Sequence, residues 1–250
     1  MNLCCLSLLF SANTYLYYLP ILRTYTTYLS CLNLSVPKVS LLDFVRCSQT
    51  GGHIATCLPL VSNMDAEKRK RLFIGIACPP SQAVKQVLTE LQTIAENPSA
   101  GLRPVVEENL HITLKFLGMI PKSEIAMICQ LMQHTVTRQS PFTLHIHGFG
   151  CFRQALWLGV RDSEELTELA GNLDLALAVI GAGKEKKPFM PHLTVARMRP
   201  NAQLKLSNLQ EQYGHRDLGT LSVDTVHLFE SETLPEGARY SRLFSATLAS

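Results

Sequence analysis

Apolar and polar positions alternate with a strand or helix period only from about Arg71 onward. The run RLFIGIA (Arg71–Ala77) predicts a strand, and Pro79-Pro80-Ser81 then signals a helix start. Val84, Val87, Leu88, Leu91 and Ile94 follow at helical spacing, up to Asn97-Pro98. The short RPV segment (Arg103–Val105) leads to a strand predicted over Leu110–Leu117 and stopped at Gly118. Pro121 opens a second helix with Ile125, Ile128, Met132 and Val136 inward. Phe142–Phe149 and Ala155–Val160 read as a strand pair joined by the loop Gly150–Gln154. Asp162, with Glu165 three residues on, has the pattern of a capping box. The helix that follows carries Leu166, Leu169, Leu173, Leu177 and Ile180 on one face and ends at Gly181 and Gly183. A basic loop, Lys184–Lys187, precedes a strand that begins at His192. A shorter helix around Leu204–Tyr213 and two strands, Leu221–Glu230 and Tyr240–Leu248, complete the pattern. Strands and helices are mixed, yet the hairpins are too many for a doubly wound parallel sheet. The expectation is an α+β fold of two lobes, each a sheet backed by helices.

Two of these strands open on the same tetrad. His111-Ile112-Thr113-Leu114 recurs 81 residues later as His192-Leu193-Thr194-Val195. Residues i and i+2 of a strand share a face, so each tetrad aims an imidazole and a hydroxyl the same way. A single His-x-Thr is ordinarily a half-buried His beside a β-branched neighbour. Its repetition, at comparable places in two similar halves, points to one cleft lined by two His and two Thr. A His pair can hold one neutral and one protonated member near neutral pH, which suits base and acid work on one substrate.

Composition divides the chain. Residues 1–63 hold only Arg23, Lys38, Asp43 and Arg46 as charged residues, yet five of the eight cysteines and five of the seven tyrosines. They show no sustained period, no run long enough to span a bilayer and no basic lead of a secretory signal. The composition switches at Met64, where MDAEKRKRLFIGIA reads as an ordinary protein start. Met64 is therefore expected to be the natural initiator, with 1–63 a non-native or misassigned extension. Without that segment the charge count is 20 basic against 19 acidic, so an anionic ligand must be held by local groups. Cys78, Cys129 and Cys151 remain, an odd number without CxxC spacing, which fits a reducing cytoplasm.

Two His plus hydroxyl donors, without carboxylate partners, suit phosphodiester chemistry. One imidazole takes a proton from water and the other protonates the departing alkoxide. The Thr hydroxyls bond non-bridging oxygens. Arg197 lies five residues past His192, an odd spacing that on a regular strand faces away; a bend is needed to make it a phosphate clamp. A four-imidazole metal site with His145 and His147 is the competing arrangement, but no Asp or Glu sits among these strands to complete it. Phe152, Trp157 and Phe189 are candidates for stacking on a base, with core packing as the alternative.

From about Arg71 to the end, the chain resembles the two-histidine phosphoesterase superfamily. Within it, the chain is most similar to the bacterial RNA 2′,3′-cyclic phosphodiesterases, the LigT or ThpR type of 2′-5′ RNA ligase. The resemblance is carried by RLFIGIACPP, RPVVEENLHITLKFLG, PFTLHIHGFGCFRQALWLGV, KPFMPHLTVAR and LFESETLPEGARYSRL. It implies a bilobal, pseudo-twofold α+β fold with two antiparallel-rich sheets, helices outside and a central groove. It further implies hydrolysis of RNA 2′,3′-cyclic phosphate ends to 2′-phosphates, with reversible 2′-5′ ligation. Neither metal nor cofactor is implied, and the partner is RNA or a nucleotide bearing the cyclic phosphate. By position, His111 and His192 are the acid/base pair, the second commonly the base. Thr113 and Thr194 hold the phosphate, and Arg197 matches the basic residue after the second tetrad. The protein is expected to be a cytoplasmic monomer with no membrane attachment. A related enzyme acting on a small cyclic nucleotide or ADP-ribose cyclic phosphate, and a non-catalytic RNA-end binding module, stay open as alternatives.

Overall fold

The computed structural model describes residues 68–180, 188–200, 202, 206–234 and 237–249. The proposed extension 1–63, the helix-ending Gly181 and Gly183, and the loop Lys184–Lys187 lie outside the described residues. In chain order the elements are β1 (Arg69–Ala77), α1 (Gln82–Ala95), β2 (Leu102–Pro104), β3 (His111–Pro121) and α2 (Ile125–Val136). There follow β4 (Phe142–Phe152), β5 (Ala155–Val160), α3 (Glu164–Leu177), β6 (His192–Met198) and α4 (Ser207–Tyr213). Strands β7 (Asp217–Val223), β8 (Thr225–Leu234) and β9 (Gly237–Thr247) close the chain.

Two antiparallel halves make up the sheet, in the order β7-β4-β5-β6 and β3-β1-β8-β9. They meet at one ladder pair, Ile112 with Leu193, the second residues of the two tetrads. Short β2 pairs with the rest of the same β6 edge, from Leu102–Met198 to Pro104–Ala196. The helices lie behind the sheet. Helices α2 and α3 pack on each other and against β9 and β3, whereas α1 packs on β2 and β7. Alternation in the strands and the i, i+3, i+4 spacing of the helices send their apolar residues into one shared core. Ile112, Leu193, Val87, Leu91 and Leu173 are all fully buried there.

Four local expectations are corrected. Gly118 does not end β3, because its φ of +75° lets it sit in a bulge through which the strand runs on to Pro121. The turn between β4 and β5 is shorter than Gly150–Gln154, since β4 runs on to Phe152 while β5 begins at Ala155 as expected, and only Arg153 and Gln154 connect them, Arg153 at φ +49°. The N-cap of α3 is Ser163 rather than Asp162: its hydroxyl accepts from the Leu166 N–H and donates to the Glu165 carboxylate. The single strand expected over Leu221–Glu230 is two. Leu221 and Val223 bury odd positions but Val226 and Leu228 even ones, so the phase breaks at Asp224. There the chain passes from β4's edge to β1's edge.

Candidate active site

Both tetrads stand at the first residues of their strands. Around the Ile112–Leu193 pair, antiparallel register sets His111 across from Thr194 and Thr113 across from His192. A pseudo-twofold axis thus runs between the two buried aliphatic residues, with all four polar side chains on the other face. His111, Thr113, His192 and Thr194 line one cleft of about 470 Å³.

The sequence supplies the same tether to each imidazole. Nδ1 of His111 donates to the Asn109 carbonyl at 2.7 Å, and Nδ1 of His192 donates to the Met190 carbonyl at 2.8 Å. A carbonyl only accepts, so Nδ1 carries a proton in both rings. The neutral form of each then has its lone pair on Nε2, where a proton is taken or given. Beyond the tether the two rings differ. His111 lies 4.7 Å from the Phe73 ring and 5.0 Å, edge-on, from Tyr240. His192 meets Phe152, edge-on at 5.4 Å. Burial, chiefly, holds His111 below its ordinary 6.5, with smaller pushes from the Arg197 and His192 charges and an opposing pull from the Asn109 bond.

Arg197 joins the cleft despite its spacing. The β5–β6 register shifts between Leu156–Ala196 and Trp157–Thr194, leaving Val195 as an extra residue. Val195 and Ala196 are consequently both buried, and the side-chain alternation inverts. Arg197 is thereby turned to the side of His192. The first lobe repeats the device: the β1–β3 register skips Leu114, Leu114 and Lys115 are both buried, and Phe116 turns into the cleft, 60% exposed. Phe116 and Arg197 are pseudo-symmetric counterparts, one apolar and one cationic.

The expected constellation is therefore brought together, all five residues in one place. His145 and His147 are not part of it; they lie on β4, where His147 pairs with Asp217 of β7. Among the described residues no three His, Cys, Asp or Glu side chains converge as a metal site. Of the aromatics considered for stacking, Phe189 packs against the core and Trp157 lies over Gly150, where a Cβ would come within 2.3 Å of its ring. Phe152 stays beside His192. The cleft wall instead takes its aromatics from Phe73, Phe116 and Tyr240. Phe116 had a signal, sitting at the same offset from His111 as Arg197 from His192. Tyr240 and Arg71, brought in through β1, β8 and β9, had none. Cationic Arg71 and Arg197 line the cleft, and no described lining residue is acidic.

An anion between the tetrads should raise the depressed pKa of His111. Binding of inorganic phosphate near pH 6.5 is therefore expected to draw protons from solvent. Uptake should fade at high pH, above the bound-state pKa, and at low pH, below the free-state pKa. Titration calorimetry in buffers of different ionisation heat measures this directly. An uptake as large in His111→Ala as in the unaltered protein would show that His111 is not the group involved.

A divided antiparallel sheet with a His-x-Thr on each central strand, both opening on one groove, is the two-histidine phosphoesterase fold. The chain belongs to the 2′-5′ RNA ligase superfamily, whose family model matches residues 79–234. An RNA 2′,3′-cyclic phosphodiesterase of Archaeoglobus fulgidus is 32% identical, the match covering 69% of this chain and 97% of that protein. Its counterpart from Methanothermobacter thermautotrophicus is 29% identical, over 68% and 95%. Among solved structures, apo E. coli LigT superposes with a TM-score of 0.56 at 28% identity, over 73% of this chain and 99% of that one. The Thermus thermophilus protein TT0787 gives 0.59 at 27% identity, over 71% and 97%.

Proposed function

We propose that this protein hydrolyses the 2′,3′-cyclic phosphate at an RNA 3′ end to a 2′-phosphate, with His111 and His192 as the acid/base pair. One observation carries the reading: two imidazoles, each tethered through Nδ1, face each other's Thr in a cleft without described carboxylates. Neutral His192 takes a proton from water through Nε2 as the water oxygen bonds to phosphorus. The P–O3′ bond breaks, and protonated His111 delivers its Nε2 proton to the departing O3′. The charge of the bound phosphate opposes the burial that holds the His111 pKa down, so His111 enters the step protonated. The Thr113 and Thr194 hydroxyls and the Arg197 guanidinium bond the non-bridging oxygens as their charge rises. With an RNA 5′-hydroxyl in the place of water, the same pair of transfers gives a 2′-5′ linkage. The names of the relatives, RNA 2′,3′-cyclic phosphodiesterases, support the substrate assignment, as does a LigT structure in complex with 3′-AMP.

None of these steps calls on a metal or cofactor. An RNA oligonucleotide ending in 2′,3′-cyclic phosphate should be converted to the 2′-phosphate form at an undiminished rate in EDTA. Activity lost on chelation and restored by zinc or manganese would overturn the metal-free reading. A 3′-phosphate product would keep the site and reverse the leaving oxygen.

The same proposal extends to setting. Cys78, Cys129 and Cys151 are free thiols, and burial pushes Cys78 up to about 11, an inert state that fits a cytoplasmic protein. No described helix is long and apolar enough to cross a membrane. All five site residues come from one chain, as a working monomer requires. Residues 64–250 are proposed to be the catalytic unit, so a chain of those residues should fold and keep full activity. Failure to fold without residues 1–63 would refute that boundary.

A further inference from the structure

The cleft continues past the tetrads along the first lobe. Its far end is formed by Arg71 of β1 with Ser231 and Thr233 of β8. The β1–β8 register has Phe73 opposite Phe229 and Leu72 opposite Glu230, and one step further it sets Ser231 beside Arg71. Ser231 pairs in turn with Tyr240 of β9. Alternation sends Leu72 into the core and Arg71 to the Phe73 side, where it is exposed to the cleft. The nearby carboxylates are committed elsewhere, Glu230 to Lys70 at 2.5 Å and Glu232 to Arg239 at 2.6 Å. Among the described residues no carboxylate pairs with Arg71.

A guanidinium flanked by hydroxyls, in a cleft without described acidic lining, is a seat for an oxyanion. It is distinct from the seat at the tetrads. Phe73, whose ring touches His111, is two residues from Arg71, about 7 Å of strand rise. Tyr240 and exposed Phe116 line the stretch between the two seats, an aromatic surface for a nucleoside. A single phosphate group fills only one of these seats.

Building on the hydrolase reading, we infer that Arg71, with Ser231 and Thr233, holds the phosphodiester on the 5′ side of the terminal nucleotide. The contact gives the RNA end a second anchor, apart from the one at the tetrads. The cation reads backbone charge and not base identity, so the anchor serves chain ends of any sequence.

The test compares two product-like dinucleotides ending in a 2′-phosphate, one joined by a phosphodiester and the other by a neutral methylphosphonate. Their binding to the full chain is measured calorimetrically. Neutralising the linkage should weaken binding to the unaltered protein by about tenfold to hundredfold, the worth of a charge-assisted bond. In Arg71→Gln the two ligands should bind alike, and Ser231→Ala should narrow the gap in part. Equal binding of both ligands to the unaltered protein, or the same gap retained in Arg71→Gln, overturns the inference. Because binding is read without turnover, this outcome is separate from the hydrolase reading, which stands or falls on cleavage of the cyclic-phosphate end. In turnover, Arg71→Gln should lower kcat/KM for a cyclic-ended dinucleotide, relative to a cyclic mononucleotide, by a similar factor.

Discussion

Changing either His111 or His192 to alanine is expected to lower turnover on a cyclic-phosphate RNA end by about 10²–10⁴-fold, the worth of a positioned proton transfer. The double variant should be barely slower than the slower single one, because an acid and a base acting on one phosphorus are not independent. Turnover against pH should be bell-shaped, since one imidazole must be neutral and the other charged. Thr113→Ala and Thr194→Ala should be milder, each removing one hydrogen bond to a non-bridging oxygen. Thermal melts check that folding is intact. Near-wild-type turnover in either His variant would make the tetrads structural and remove the basis of the proposed chemistry.

The largest effect on stability is expected behind the cleft. Lys115 follows the bulge in β3 with its side chain 1% exposed, and it is ion-paired to Asp174 of α3, which is 15% exposed. Removing one partner leaves a charge in the core, so Asp174→Ala should cost about 3 kcal/mol, toward the low end for buried pairs because Asp174 keeps some solvent. For a folded unit of this size that corresponds to a fall of about 6–12 °C in Tm. The pair Lys115→Met with Asp174→Leu should recover most of the loss, since an apolar pair of similar volume removes both desolvation costs. A melting temperature unchanged in Asp174→Ala would mean that the ion pair carries no net stability.

Much of this organisation was legible in the residues. Each tetrad's alternation, His and Thr outward with Ile112 or Leu193 inward, is a property of strand geometry alone, and the structure places both as that rule requires. The helix faces were legible for the same reason: burial follows the 3.6-residue period. What spacing could not show is where a ladder gains a residue. Arg197 faces His192 because Val195 is bulged, and that bulge is fixed by pairing with Leu156 and Trp157, residues about 40 positions away. The same blindness hid Phe116. It also hid Arg71 and Tyr240, whose places in the cleft depend on β1, β8 and β9 lying side by side. The break at Asp224, by contrast, was written in the sequence as a change of phase, and an unbroken apolar count passes over it.

The Ile112–Leu193 seam has a genealogical consequence. A chain half this length, bearing one tetrad, could assemble the same four groups only by docking onto a copy of itself about a true twofold axis. In such a homodimer every position is duplicated, and any clamp on one side is obliged to reappear on the other. Joining the halves in one chain lifts that obligation. The position after each bulge shows the freedom taken: Arg197 on one side of the groove and Phe116 on the other, with buried Lys115 answered by Ala196. At these two positions the dyad is broken, a cation standing on one flank of the groove and a flat, uncharged ring on the other.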